Sequence, residues 1–324
     1  MNNLTSLYHR SLQNGVFFAV LSATGFSLKA VFVKLSYAAA SVDAVTVLAI
    51  RMGLALPLFL WLLWFSRGTG QARLSPGDGA RILLLGLVGY YLSSLFDFYG
   101  LEYISAGLER LILFTYPTLV LLLQMAMTRE RPSSRTLAAM ALCYAGLGIA
   151  LVHDIRVEGS DGQILLGAIW VFASAVTYAI YYIGTAAVIQ RVGSMRLSGL
   201  AGIASSLMVL MHYAVTGDVH QLAALPVSVW VYGALMALVS TVLPIYWMAL
   251  AIQRMGATHA AAFGNLGPVL TVFASWALLN EAITLYQIAG LALVLLGVSR
   301  LSGAKAAAPR DASASEAEKL PTAR

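Results

Sequence analysis

The stretch FTYPTLVLLLQMAMTRE at residues 114–130 decides the fold, because a related stretch, NLGPVLTVFASWALLNE, occupies residues 265–281. Both stretches are apolar, both carry proline at the fourth position and both end on glutamate, so Pro117 matches Pro268 at an offset of 151 residues. The same offset makes three further matches: Glu130 with Glu281, Ala106 with Ala257, and Gly146 with Gly297. We therefore predict two copies of one unit.

The composition indicates an integral membrane protein. Hydrophobic residues make up 60% of the 324 residues and charged residues only 10%, and the mean hydropathy is +0.80. An ordinary soluble domain carries about 25% charged residues. A membrane-spanning helix needs about 20 apolar residues, so the chain is long enough for many spans.

Apolar runs separated by turn residues predict an all-α polytopic protein with ten transmembrane helices. The predicted helices are 13–35, 42–65, 81–101, 105–127, 135–152, 163–189, 197–215, 228–252, 258–279 and 284–301. Residues 1–12 then form a cytoplasmic N-terminus and residues 302–324 a disordered cytoplasmic tail, because the latter are rich in alanine, serine and charge.

Basic residues in the loops predict the orientation. A cytoplasmic N-terminus leaves 15 lysines and arginines inside and 2, Lys34 and Arg156, outside. We expect a bacterial-type inner (plasma) membrane protein with both termini in the cytoplasm.

The two copies are predicted to be inverted. Each copy, 13–152 and 163–301, has an odd number of helices, five, so the second enters the membrane upside down, after an extracytoplasmic linker at 153–162. The loop charges agree, since the helix 4–5 loop has three arginines and the equivalent helix 9–10 loop has none. Chance recurrence of proline and glycine is the alternative, but four matches at one offset favour a duplication.

The chain resembles the drug/metabolite transporter superfamily, EamA type. The first copy carries the resemblance at residues 103–107 (YISAG), 114–118 (FTYPT) and Glu130. The second copy carries it at residues 255–257 (MGA), 264–268 (GNLGP), 280–281 (NE), 287–290 (QIAG) and 296–297 (LG). The resemblance implies ten helices, cytoplasmic termini, a central substrate cavity, no cofactor and no catalytic residue. It does not identify the substrate.

The two prolines are candidate hinges. A proline inside a helix removes one hydrogen bond and clashes with the carbonyl four residues earlier. Pro117 and Pro268 are expected to bend helices 4 and 9 at mid-membrane, where freed carbonyls need a partner or a polar cavity. The alternative is a static kink that improves packing.

Five ionisable residues lie inside predicted spans, where such residues are usually functional. All are in the first copy: Lys29, Arg51, Asp97, Glu109 and Arg110. Their net charge of +1 favours an anionic or zwitterionic substrate, with Lys29, Arg51 and Asp97 as binding candidates. Asp97, Glu109 and Arg110 are candidates for a proton site or an ion pair. The alternatives are a simple Lys29–Asp97 pair and snorkelling of Glu109 and Arg110 to the interface.

Aromatic and amide side chains are further binding candidates. Tyr178 and Tyr181 share one face of helix 6 with Ser174 and Thr185, and this polar-aromatic face can stack on a substrate or only pack. Asn265, deep in helix 9, binds substrate or caps the broken helix. The glutamates Glu130 and Glu281 are expected to cap helices or pair loops.

The expected function is secondary transport, with export of a small polar or amphipathic metabolite such as an amino acid. The alternatives are an uncoupled facilitator, a membrane scaffold or sensor, and an intramembrane enzyme. The sequence shows no phosphate-binding loop, no metal-ligand cluster and no nucleophile–base set, and its basic residues lack aromatic interleaving. We expect the lipid bilayer and a small molecule as partners, and no metal, cofactor or nucleic acid. The oligomeric state stays open.

Overall fold

The structure is a computed structural model that describes residues 2–66, 74–129, 131–158, 161–255 and 263–306. Within these residues, eight helices are long and apolar enough to cross a membrane, and two shorter apolar helices cover 263–279 and 285–300. The predicted all-α architecture with ten membrane helices is confirmed.

The first repeat contributes five elements, three of which consist of two or more helical segments. They are α1 (Asn2–Ser27 and Lys29–Ala39), α2 (Ala44–Phe65), α3 (Pro76–Leu85, the π-helical segment Gly86–Leu92 and Ser93–Leu101), α4 (Ala106–Leu113 and Tyr116–Thr128) and α5 (Ser134–Glu158).

The second repeat contributes the other five elements, with the short helix Val219–Ala224 before the third of them. They are α6 (Asp161–Val192), α7 (Ser194–Thr216), α8 (Val227–Ala237, the π-helical segment Leu238–Val242 and Leu243–Met255), α9 (the 3₁₀ turn Phe263–Asn265 and Leu266–Leu279) and α10 (Leu285–Ala306).

Several helix ends differ from the prediction. The third helix begins at Pro76 rather than at residue 81, because Ser75 and Asp78 form a reciprocal capping box around a proline in the first turn. The fifth helix continues to Glu158, and the sixth begins at Asp161, so helix extends into both ends of the predicted linker 153–162. The last helix reaches Ala306, and residues 307–324 of the predicted tail lie outside the described residues.

The backbone repeats at the predicted offset. Arg129 ends α4 with φ 57° and Asn280 ends α9 with φ 55°, and they are the only non-glycine residues with positive φ in the described chain. The left-handed backbone conformation costs a non-glycine residue about 1–2 kcal/mol and is therefore rare. Two such residues at the offset of 151 support a duplicated backbone. The two π-helical segments also correspond, since the offset carries Gly86–Leu92 onto residues 237–243.

The contact between α5 and α10 indicates that a pseudo-twofold axis relates the two repeats. The Cys143 thiol donates to the Val294 carbonyl at 3.6 Å, and these residues are themselves 151 apart, so each is the counterpart of the other. Gly146 packs against Gly290, and its counterpart Gly297 packs against Ala139 in the same way. Such self-complementary contacts are those of a twofold interface, as an inverted repeat requires.

A second matched pair of contacts links α1 with α8 and α6 with α3. The Ser22 hydroxyl donates to the Pro244 carbonyl at 2.8 Å, and the Ser174 hydroxyl donates to the Ser93 carbonyl at 2.8 Å. Each first-repeat helix thus packs on a helix of the other repeat. The two repeats are therefore in direct contact through α1 with α8 and through α3 with α6.

The α5–α10 packing gives a matched pair of stability variants. A Cβ at Gly146 would lie 2.6 Å from the Gly290 carbonyl oxygen, whereas a Cβ at Gly148 would meet nothing within 4 Å. Gly146→Ala is expected to destabilise the protein by about 1–3 kcal/mol through overpacking. Gly148→Ala shares the gain in helix propensity without the clash. Thermal unfolding in detergent measures both, and equal melting temperatures would show that α5 and α10 do not pack this closely.

Candidate functional site

A buried charge cluster joins three elements of the first repeat. The Lys29 ammonium lies 2.6 Å from Asp97 Oδ2 and 3.7 Å from Glu109 Oε1. The side chain of Lys29 is 16% exposed, that of Asp97 is 1% exposed and that of Glu109 is fully buried. Lys29 begins the second segment of α1, Asp97 lies in the last segment of α3, and Glu109 lies in the first segment of α4.

The cluster holds two carboxyl groups around one ammonium group. Apart from Lys29 and each other, the described residues offer no hydrogen-bond partner to the Asp97 and Glu109 oxygens. Buried charge needs compensation, and two carboxylates at one ammonium leave one negative charge in excess. One proton bound to either carboxyl group would balance the charges of these three side chains.

The predicted Lys29–Asp97 pair is thus present, and Glu109 joins it. Glu109 does not snorkel to the interface, because it is buried in the protein interior.

Arg110 bridges the two repeats at a break in α1. Its Nε donates to Thr271 Oγ1 of α9 at 2.9 Å, and its Nη2 donates to the Phe26 carbonyl at 2.9 Å. The Thr271 hydroxyl in turn donates to the Ser27 carbonyl at 3.0 Å. The carbonyls at the end of the first α1 segment lack partners within their own helix, and side chains of α4 and α9 satisfy them.

Arg51 forms a second bridge between the repeats. Its Nε donates to Thr241 Oγ1 at 3.1 Å, its Nη1 donates to Ser94 Oγ at 3.3 Å, and its guanidinium lies over the Phe98 ring at 5.5 Å. The residue is 6% exposed, and no carboxylate of the described residues lies within ion-pair distance of it. The Asp97 carboxylate interacts with Arg51 only electrostatically, beyond ion-pair distance.

Both partners of Arg51 depend on local helix geometry. Thr241 lies in the π-helical segment of α8, where its hydroxyl also donates to the Met236 carbonyl five residues earlier at 2.8 Å. Ser94 is the second residue after the π-helical segment of α3. π-helical segments commonly occur at functional sites because they widen a helix locally. The duplicated segments thus place hydroxyl groups on Arg51 from both repeats.

The predicted tyrosines form an aromatic cluster. Tyr178 and Tyr181 stack with ring centroids 5.8 Å apart, Tyr116 meets Tyr178 edge-on at 5.0 Å, and Tyr90 meets Tyr181 edge-on at 5.4 Å. The Tyr181 hydroxyl donates to the Tyr90 hydroxyl at 3.4 Å. The cluster joins α3, α4 and α6, and it begins at Tyr116, directly beside the hinge candidate Pro117.

The two prolines begin helical segments. Pro117 lies in the first turn of Tyr116–Thr128, after a break at Phe114 and Thr115. Pro268 is the third residue of Leu266–Leu279, after the turn that contains Asn265. A proline in the first turn of a helix loses no internal hydrogen bond. Both helices are therefore broken at this point, rather than bent within a continuous helix.

The remaining candidates are placed as follows. Asn265 precedes the segment Leu266–Leu279 of α9 without a side-chain capping bond, so the structure does not give it the predicted capping role. The Glu281 carboxylate accepts a hydrogen bond from the Ala106 amide at 3.1 Å and so caps α4, as expected of it. Glu130 lies outside the described residues, and these contain no group of three or more metal-binding side chains.

The structure therefore brings together Lys29, Asp97 and Glu109, with Arg51 and Arg110 on either side. Sequence reasoning missed the hydroxyl partners Ser94, Thr241 and Thr271. A single hydroxyl residue in an apolar run carries little signal, because such residues also bond to their own helix. The one usable signal is the repeat. The offset of 151 residues aligns Thr241 with Tyr90, so both copies carry a polar side chain at this position.

Comparisons with known proteins place this geometry in a family. The pattern of the EamA-like transporter family matches residues 13–152 and 165–303. The chain is similar to the uncharacterized transporter YcbK of Bacillus subtilis (strain 168), at 29% identity over 87% of this chain and 90% of that one. An uncharacterized transporter of Archaeoglobus fulgidus is 22% identical over 82% of this chain and 91% of its own length.

A crystal structure shares the fold, with a TM-score of 0.60 at 16% identity over 93% of this chain and 99% of that chain. The family match covers both halves of the chain, as the duplicated backbone and the twofold contact of α5 with α10 require. The chain belongs to the EamA-like transporter family and is a multi-pass membrane transporter.

Proposed function

We propose that the chain is a secondary transporter that exports a small polar or amphipathic metabolite, such as an amino acid or an organic anion, by alternating access. The observation that carries this proposal is the buried cluster of Lys29, Asp97 and Glu109 beside two arginines that bond across the repeat interface. Charge buried at this depth is costly and is retained where it binds or moves ions or substrate.

The arginines support a substrate with a carboxylate or a similar anionic group. Arg51 is buried, its hydrogen-bond partners are hydroxyl groups, and none of the described carboxylates lies within ion-pair distance of it. A substrate carboxylate would replace the hydroxyls of Ser94 and Thr241 with a stronger, charge-assisted pair. Asp97 and Glu109 would bind the ammonium group if the substrate is a zwitterion. Tyr178 and Tyr181 would supply an apolar and aromatic surface beside it.

The carboxyl pair supports coupling to protons. A proton on Asp97 or Glu109 and a substrate ammonium group would compete for the same oxygens. Such competition couples proton entry to substrate release and drives export as an antiport. The broken helices α4 and α9 supply the movable elements. Arg110, in the α4 segment that ends before Pro117, donates to Thr271, in the α9 segment that contains Pro268, so the two broken helices are linked beside the cluster.

The coupling is tested in proteoliposomes. A comparison of metabolites between cells that lack and cells that overproduce the protein names the transported compound and its direction. We expect an inward proton gradient to accelerate its exit from energised vesicles several-fold, and expect Asp97→Asn to abolish that acceleration. If imposed pH and voltage gradients leave net flux and counterflow unchanged, the protein is an uncoupled facilitator. If no flux is measured, the scaffold or sensor alternative is favoured.

The proposed orientation places both termini in the cytoplasm of a cell with an inner membrane. Cys143 is buried, so Cys143→Ala gives a background for labelling. Pro132→Cys, between α4 and α5, is expected to react only after the membrane is permeabilised. Ala282→Cys, between α9 and α10, is expected to react with an impermeant maleimide in intact cells. Labelling of both positions from one side would contradict the inverted topology.

A further inference from the structure

An open groove lies between α5 and α10 on the surface of the protein. Its volume is about 510 Å³, and four residues of α5 form its apolar floor: Ala145, Gly148, Ile149 and Val152. Gly148 contributes to the space, because a Cβ at this position would meet nothing within 4 Å. The floor is therefore a shallow apolar channel beside the tight contact between the two helices.

The groove ends in a polar group. His153 stacks on Tyr286 with ring centroids 4.2 Å apart and planes 15° from parallel, and Arg156 lies one turn further along α5. Arg156 is exposed, and no carboxylate of the described chain lies within ion-pair distance of it. The acidic neighbour Asp154 is buried in the protein instead of facing outward.

The polar end coincides with the end of a membrane span. The apolar span of α5 covers Ser134–Val157, so Arg156 is at its boundary, and Tyr286 is the second residue of the antiparallel α10. Ala145 lies eleven residues before Arg156, or about 16 Å along the helix axis. Half of a bilayer's hydrocarbon core is about 15 Å. The groove is thus about as long as one leaflet is thick, and Arg156 at the end of the apolar span is expected at the level of the headgroups.

We propose that this groove binds one anionic phospholipid of that leaflet. The acyl chain would lie on Ala145, Gly148, Ile149 and Val152, and the phosphate would accept hydrogen bonds from Arg156, with His153 and Tyr286 beside it. Arginine suits this contact because its guanidinium binds phosphate through two parallel hydrogen bonds. A bound lipid would also cover the seam between α5 and α10, the two helices that join the repeats.

Native mass spectrometry of the full chain tests the proposal with phosphatidylglycerol and phosphatidylcholine of matched acyl chains. We expect phosphatidylglycerol to bind about tenfold more tightly, because its phosphate leaves a net negative charge for Arg156, whereas the quaternary ammonium of phosphatidylcholine neutralises the same phosphate and repels the guanidinium. Arg156→Gln is expected to remove this preference. Gly148→Leu fills the groove and is expected to weaken both lipids. Arg135→Gln, an exposed arginine at the other end of α5, is the matched control and should keep the preference.

Other outcomes overturn the proposal. Equal binding of the two lipids by the parental chain, or an unchanged preference in Arg156→Gln, would do so. Displacement of phosphatidylglycerol by equimolar glycerol phosphate would show an anion site that does not require a lipid. Dimers that Gly148→Leu dissociates would show that a second copy occupies the groove. Melting temperatures identify variants that fail to fold. If Arg156→Gln fails to fold, Arg156→Lys replaces it. This variant keeps the charge but loses the paired hydrogen bonds, so we expect an intermediate preference for phosphatidylglycerol.

Discussion

Lys29→Ala is expected to abolish transport and to destabilise the protein by about 3–5 kcal/mol, because it leaves two buried carboxyl groups without their cation. The Lys29 ammonium contacts both Asp97 and Glu109, and the described chain gives these groups no other donor. Flux is measured as the amount of transported metabolite that overproducing cells release, and stability is measured by thermal unfolding.

The double variant Lys29→Ala/Asp97→Asn separates the two effects. It removes one charge of each sign, so the melting temperature is expected to return towards that of the parent while transport remains lost. Arg135→Met, an exposed arginine on α5, is the control and should transport at the parental rate. Parental flux in a folded Lys29→Ala variant would exclude the cluster from transport.

Arg51→Met is expected to raise the KM for the transported compound by about 10- to 100-fold, since a charge-assisted hydrogen bond contributes about 1.5–3 kcal/mol. Arg51→Lys keeps the charge but cannot bond two partners in the planar geometry of a guanidinium, so we expect an intermediate KM. The measurement is initial-rate counterflow in proteoliposomes at several substrate concentrations.

Thr241→Val is the matched control for Arg51. It removes one hydroxyl partner of Arg51 inside the protein and leaves the guanidinium in place. If Arg51 only connects the two repeats, Thr241→Val and Arg51→Met should reduce stability together and leave KM unchanged. If Arg51 contacts substrate, Arg51→Met should change KM far more than Thr241→Val does.

The duplication was predictable because it leaves several independent traces in the sequence. Pro117 and Pro268 share an offset, the loops have opposite charge, and the apolar runs have the length of spans. The structure adds the left-handed backbones of Arg129 and Asn280, of which only asparagine is a residue type that favours this conformation. Helix ends were less predictable. The sequence Ser75-Pro-Gly-Asp reads equally as a turn and as a helix start, and only the capping contacts decide.

The candidate site was predictable only as a set of residue types. Lys29, Arg51, Asp97, Glu109 and Arg110 stand out since charge is rare in spans. Their partners could not be read from the sequence, because the pairing depends on how helices of different repeats meet. The π-helical segments illustrate the limit: one extra residue in a helical turn has no compositional signature, yet it presents Thr241 to Arg51.

The contact between Cys143 and Val294 has a consequence for descent. Two identical five-helix chains related by a twofold axis would place the same side chain from each partner at this point, so any replacement there would occur twice. Joining the halves in one polypeptide removes that restriction: cysteine now stands opposite valine. In the same way, the buried cluster of Lys29, Asp97 and Glu109 belongs to one half alone, an asymmetry that a pair of identical subunits cannot have.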